Sequence, residues 1–160
     1  MIKMIVTDLD GTILNIERKM SKATEEYLIS LKERGYVVVI ATGRNFASAK
    51  KHTNGARFAN YLISDGGACT YDPYTEEILF KNNLSKEQVK SILEYWDETF
   101  AYVEICDKDS YLRYTGEQDI ESFLADIEDI THLSIKFILN EQAEKTFFEL
   151  QKEFPGLSFL

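Results

Sequence analysis

Apolar residues fall in short, dense runs over the first 65 positions, and each run ends abruptly in polar or glycine-rich sequence. Met4-Ile5-Val6 runs into Asp8-Leu9-Asp10-Gly11-Thr12. Tyr36 to Ala41 (YVVVIA) runs into Thr42-Gly43-Arg44. Tyr61-Leu62-Ile63 runs into Ser64-Asp65-Gly66-Gly67. Such runs predict strands, and the β-branched YVVVIA predicts one covered on both faces, as in a parallel sheet. Between the first two, Ser21 reads as an N-cap, Ala23, Tyr27, Leu28 and Leu31 follow at near-helical spacing, and Gly35 stops the helix. A second helix is predicted over Asn45 to His52. The βαβαβ order implies right-handed crossovers, with helices packed on a parallel sheet.

After Gly67 the pattern changes. Ala68 to Tyr71 and Ile78 to Phe80 flank the turn signal Asp72-Pro73-Tyr74, which predicts a hairpin. Ser85-Lys86-Glu87-Gln88 is a capping box, and Val89, Ile92, Leu93 and Trp96 line one face of the helix it opens. Strands are expected over Tyr102 to Cys106 and Tyr111 to Tyr114, joined by a turn at Asp107-Lys108-Asp109. Ile120, Phe123, Leu124 and Ile127 predict a helix, and Ser134 to Leu139 a strand. Asn140 caps a helix carrying Ala143, Phe147 and Leu150, and Leu157 to Leu160 begins a further strand. The fold class is therefore α/β. Residues 1–83 form a parallel-sheet core with its hairpin, and residues 84–160 an α+β unit of antiparallel character.

Composition narrows the function. Of 160 residues, 44% are hydrophobic and 28% charged, which is globular, and the net charge is −9. That balance argues against non-specific nucleic-acid binding and against anionic membrane surfaces. No apolar run approaches the roughly 20 residues of a membrane span, and acids at Asp8 and Asp10 rule out a signal peptide. Cys69 and Cys106 are too few for a disulfide framework and lack CxxC spacing, so a reduced, cytoplasmic setting is expected.

In open α/β sheets, ligands bind beyond the carboxyl ends of the strands, where the three polar loops should converge. Asp8 and Asp10 lie two apart on an extended segment and can face the same side. Paired carboxylates can share a divalent cation, and oxygen ligands suit Mg²⁺. Alternatively, one can be a nucleophile and the other a proton carrier. A solvated Asx turn is the remaining reading. Gly11 permits a tight turn. Thr42, Gly43 and Arg44 offer a hydroxyl, an N–H and a guanidinium fork suited to phosphate oxygens, or else a strand end with a solvated Arg. The N–H groups of Asp65-Gly66-Gly67 can form an anion-binding concavity.

Together these residues resemble the haloacid dehalogenase (HAD) superfamily of phosphohydrolases. The closer likeness is to the Cof-like branch of sugar-phosphate phosphatases, whose large C2-type cap follows the third core strand. Asp8-Leu9-Asp10-Gly11-Thr12-Ile13-Leu14 matches the first family motif and Thr42, within Ala41-Thr42-Gly43-Arg44, the second. Asp65-Gly66-Gly67-Ala68 stands where the branch has Asn-Gly-Ala. The resemblance implies a partial Rossmann-like, HAD-like core (1–83) and a partial cap (84–160). It implies Asp8 as nucleophile, Asp10 as acid and base, and Thr42 on a phosphoryl oxygen. Mg²⁺ would be held by Asp8 and Asp10, and Gly43, Arg44, Gly66 and Gly67 would face a small phosphorylated metabolite.

The resemblance also implies a later Lys and a Gly-Asp-x-x-x-Asp loop, and neither is found. Lys136 falls on an expected cap strand, and Asp126 on a helical stripe with Asp129 three further on. By this alignment the chain stops within the cap. The first strand should then lie at a sheet edge, which favours self-association into a homo-oligomer. Two functions follow: a phosphomonoesterase, or a phosphate- or metal-binding module without turnover. His52 and His132 read as surface residues. Tyr102, Tyr111 and Tyr114 read either as cross-strand packing or as a ligand-stacking surface.

Overall fold

The β-branched run Val37–Ala41 (β2) lies inside a five-stranded sheet in a computed structural model that describes residues 3–107, 110–138 and 140–157. Strand Met4–Thr7 (β1) pairs parallel on one side of it and Tyr61–Ser64 (β3) on the other. The hairpin strands Cys69–Tyr71 (β4) and Ile78–Lys81 (β5) extend the sheet antiparallel, in the order β1-β2-β3-β4-β5. Asp72 makes the turn, its Oδ1 accepting the N–H groups of Tyr74 and Thr75 at 2.7 and 3.2 Å. These elements make up a unit spanning Met1–Asn83.

Helix Lys22–Glu33 (α1) starts where Ser21 Oγ accepts Thr24 N–H at 3.0 Å, and Gly35 follows its end at φ +82°. Helix Phe46–His52 (α2) is capped by Asn45, whose Oδ1 accepts Ser48 N–H at 2.8 Å. Leu28 and Leu31 of α1 and Phe46 and Ala49 of α2 pack with Val38, Ile40, Leu62 and Phe58 into one core. Each of these buried side chains apart from Ala49 contributes about 1.5–3 kcal/mol. As expected, β1 is an edge strand, and its Met4 and Val6 are 54% and 57% exposed.

The second unit, Leu84–Leu160, is built on a three-stranded antiparallel sheet ordered Ser110–Tyr114 (β7), Phe100–Asp107 (β6), Ile130–Phe137 (β8). Helices Lys86–Leu93 (α3), Ile120–Leu124 (α4) and Glu141–Glu153 (α5) contribute Val89, Leu93, Leu124 and Leu150 to a core with Val103, Ile105 and Tyr114. The Ser85 capping box is formed reciprocally with Gln88, at 3.2 and 2.8 Å. Ser85→Ala is expected to lower stability by about 1 kcal/mol. Urea unfolding followed by Trp96 fluorescence checks this, and an unchanged midpoint would count against the cap.

Two boundaries move. Strand β8 starts at Ile130, not Ser134, because its register with β6 continues to Asp107 opposite Ile130. The Asp107 carboxylate accepts Glu128 and Asp129 N–H at 3.3 and 2.7 Å, which steers the chain into that register. Helix α4 stops at Leu124, so Ile127 is buried from the loop before β8 and Asp126 lies beyond the helix. His132 is half-buried within β8. Of the expected turn at 107–109, Lys108 and Asp109 lie outside the described residues, as do Leu139 and residues 158–160 of the expected last strand.

Candidate active site

Asp8 is the first residue beyond β1. It is exposed, Leu9 after it is fully buried, and Asp10 is exposed again. Leu9 is thus the inward anchor of an extended segment whose two carboxyl-bearing residues alternate away from it. The chain then folds over the Leu9 carbonyl, which accepts Thr12, Ile13 and Leu14 N–H at 3.3, 3.2 and 2.9 Å. That wrap requires Gly11 at φ +72°, where a side chain would be strained.

Thr42, directly after β2, is buried. Its N–H donates to the Ile63 carbonyl at 3.0 Å, and its Oγ1 accepts Arg44 N–H at 3.2 Å. The Thr42 and Arg44 carbonyls accept Gly66 N–H at 3.3 Å and Asp65 N–H at 2.9 Å. The loops after β2 and β3 are therefore laced together. The lacing also corrects an expectation. Two N–H groups of Asp65-Gly66-Gly67 are donated to the neighbouring loop, so the segment is a brace rather than an open anion cradle. Asp65 is buried, in the left-handed region at φ +54°, and accepts Ser64 Oγ–H at 2.6 Å. Gly43, Gly66 and Gly67 are exposed.

Arg44 joins the first loop to the second. Its Nε and Nη2 donate to the two oxygens of Asp10, both at 2.6 Å, and its Nη1 donates to Ser48 Oγ at 3.0 Å. The guanidinium beside it holds the Asp10 carboxyl below the usual carboxylate range, and Arg18 and His52 act in the same direction. His52 ends α2 with Nδ1 3.0 Å from the Arg18 carbonyl oxygen. The sequence pointed Arg44 towards a ligand, marked His52 as a surface residue and Asp65 only as part of a turn, with neither Ser48 nor Arg18 singled out. The i, i+4 spacing of Arg44 and Ser48 was a usable signal, whereas His52 meets the first loop only through the fold.

A carboxyl held low stabilises the fold above the ordinary carboxylate range, and that contribution is lost as pH falls through the lowered value. The Asp10 side chain is 51% exposed, so the pair contributes about 1 kcal/mol or less. In Arg44→Ala the Asp10 carboxyl is expected to titrate at higher pH, followed by NMR of its side-chain carbon. An unmoved titration would mean that the ion pair does not exist in solution.

At the end of β1 the exposed Asp8 carboxylate offers oxygen to a hard divalent cation, whereas both Asp10 carboxylate oxygens are taken by Arg44. Parallel strands β1, β2 and β3 thus carry a carboxylate pair, a hydroxyl with a guanidinium, and a glycine pair to one edge of one sheet.

A family model described as haloacid dehalogenase-like hydrolase matches residues 5–155. The 5-amino-6-(5-phospho-D-ribitylamino)uracil phosphatase YitU of Bacillus subtilis (strain 168) is 24% identical over 154 residues, 94% of this chain and 57% of that protein. The HMP-PP phosphatase of Cronobacter sakazakii (strain ATCC BAA-894) is 31% identical over 91 residues, 56% of this chain and 33% of that protein. A solved haloacid dehalogenase-like hydrolase from Bacteroides thetaiotaomicron superposes with a TM-score of 0.66 at 20% identity, over 96% of this chain and 63% of that one. The chain spans about half or less of the length of most curated relatives it matches.

Proposed function

The chain belongs to the haloacid dehalogenase-like hydrolases, and on that premise we propose a Mg²⁺-dependent phosphomonoesterase acting on a small phosphorylated metabolite, a sugar phosphate or similar. The observation that supports it is the hydrogen-bonded convergence of the loops after β2 and β3, with Arg44 reaching from the second loop to Asp10 of the first.

Asp8 carries the reaction. Its Oδ forms a bond to phosphorus as the bond from phosphorus to the leaving alkoxide breaks. Asp10 gives the alkoxide a proton, then takes one from water, whose oxygen displaces Asp8 and releases inorganic phosphate. Both Asp10 oxygens are engaged by Arg44, so one must be released before Asp10 carries a proton. Thr42 donates its hydroxyl to a phosphoryl oxygen, and the Arg44 fork, once released, fits a second. Gly43, Gly66 and Gly67 leave the approach open. The Asp8 carboxylate and the backbone carbonyl of Asp10 would hold Mg²⁺, which supplies positive charge against repulsion between an anionic nucleophile and an anionic substrate.

Residues 1–83 and 84–160 serve in this reading as core and cap, in a cytoplasmic setting. Among the described residues no helix is long and apolar enough to cross a membrane. The exposed edge strand β1 supports self-association as part of the proposal. A second reading, phosphate or metal binding without turnover, is favoured by one observation: Arg44 engages both carboxylate oxygens of Asp10, the proton carrier.

The experiment is phosphate release from an aryl phosphate by the purified chain, with Mg²⁺ and with EDTA. Release that requires Mg²⁺ supports the hydrolase. Phosphate binding without release under either condition supports the second reading.

A further inference from the structure

Side chains alternate across the three-stranded sheet of the second unit. Val103, Ile105, Tyr114 and Ile135 pack with the helices. The opposite face carries Tyr102 beside Lys136 and, in the next row, Arg113, Glu104 and Ser134. Arg113, Ser134 and Lys136 are exposed, and Tyr102 and Glu104 are half-buried. This resolves the tyrosines. Tyr114 is a core residue against Trp96 and Phe123, while Tyr102 belongs to the opposite face.

We propose that this face binds the oxyanion of a small ligand, a phosphate or carboxylate group, between Arg113 and Lys136 over the Tyr102 ring. Arg113 is held in place from two sides. Its Cζ lies 4.0 Å from the centroid of the Tyr102 ring, and its Nη2 donates to Glu104 at 2.5 Å. A guanidinium has five N–H donors, so donors remain for an incoming oxygen. Lys136 is paired across the ladder with Tyr102 and forms no ion pair among the described residues. Strands β7 and β8 flank β6, so Arg113 and Lys136 stand two strand spacings, about 10 Å, apart, a span that one anion bridges through their long side chains.

Charge complementarity selects the ligand. Residues 84–160 hold 7 Lys and Arg against 17 Asp and Glu, yet two of those seven stand in the two adjoining rows of Tyr102 and Glu104. The one carboxylate in these rows, Glu104, is already engaged by Arg113. Against that negative excess, these rows present the Arg113 and Lys136 cations and the exposed Ser134 hydroxyl. The site does not rest on the hydrolase reading, because it uses no residue of the first unit.

The test is an amide NMR titration of the Asp8→Asn chain with inorganic phosphate, which separates this face from the end of β1. Saturable shifts at Tyr102, Arg113, Ser134 and Lys136 are expected. Arg113→Gln with Lys136→Gln should weaken them at least about tenfold while the spectrum stays dispersed. Glu104→Gln removes the competing carboxylate and should tighten binding by about two- to fivefold, a gain that misfolding cannot produce. Shifts confined to residues 1–83, shifts that survive the double variant, or shifts that follow protein concentration instead of phosphate would each overturn the proposal. The last would mean that a second copy covers the face.

Discussion

Asp8→Asn is expected to abolish phosphate release, lowering kcat by about four orders of magnitude or more, with the folded state intact. The amide is nearly the same size as the carboxylate but has no anionic oxygen to attack phosphorus. Asp8 is exposed directly beyond β1, and its side chain makes no hydrogen bond or ion pair among the described residues. Its replacement therefore breaks no native contact, and stability should move by less than about 0.5 kcal/mol. Asp10→Asn differs in this respect, because it also breaks the two-pronged contact with Arg44. It is expected to slow turnover and lower stability together. Phosphate release and urea unfolding measured on both variants separate the roles. In addition, mass spectrometry of the peptide holding Asp8 should find a phosphoryl adduct in the parent chain during turnover and none in Asp8→Asn. Turnover retained by Asp8→Asn would remove Asp8 from the chemistry.

Gly116→Ala is expected to destabilise the second unit by about 2–4 kcal/mol. Gly116 follows β7 at φ +82°, a conformation that costs an ordinary residue roughly 1–2 kcal/mol. A Cβ built there would lie 2.5 Å from Cε2 and Nε1 of Trp96 and 2.9 Å from Cζ2. Trp96 cannot simply retreat, since its ring packs 5.3 Å from those of both Phe100 and Tyr114. Overpacking of this kind adds about 1–3 kcal/mol. Trp96 is the only tryptophan, so its emission reports the site directly. A red shift and a lower unfolding midpoint are expected. Gly156→Ala is the control, with nothing within 4 Å of the added carbon. Equal midpoints for the two variants would show that Gly116 carries no such constraint.

Local patterns in the sequence were enough for most of the elements. Ser21, Asn45, Ser85 and Asn140 each cap the helix they precede, because a cap depends on a side chain and an N–H three residues apart. The β-branched run at Val37–Ala41 and the polar loops that follow each parallel strand were legible for the same reason. So was the edge position of β1, once the likeness to a larger family was drawn.

Contacts distant in sequence were not legible. Arg44 and Asp10 are 34 residues apart, and nothing near either one indicates that the guanidinium turns back onto the carboxylate. The same holds for the Trp96 ring beside Gly116, and for Asp107 steering β8 into a start four residues early. Strand pairing and helix crossovers create these meetings. Short-range sterics and hydrogen bonds set the elements, the loops that end them and the residue types those loops carry, so these could be read along the chain. The fold alone settled which charges pair, which tyrosine is buried and which face of the small sheet packs with its helices. Those outcomes depend on how far apart two side chains lie after folding, and position along the chain does not encode that distance.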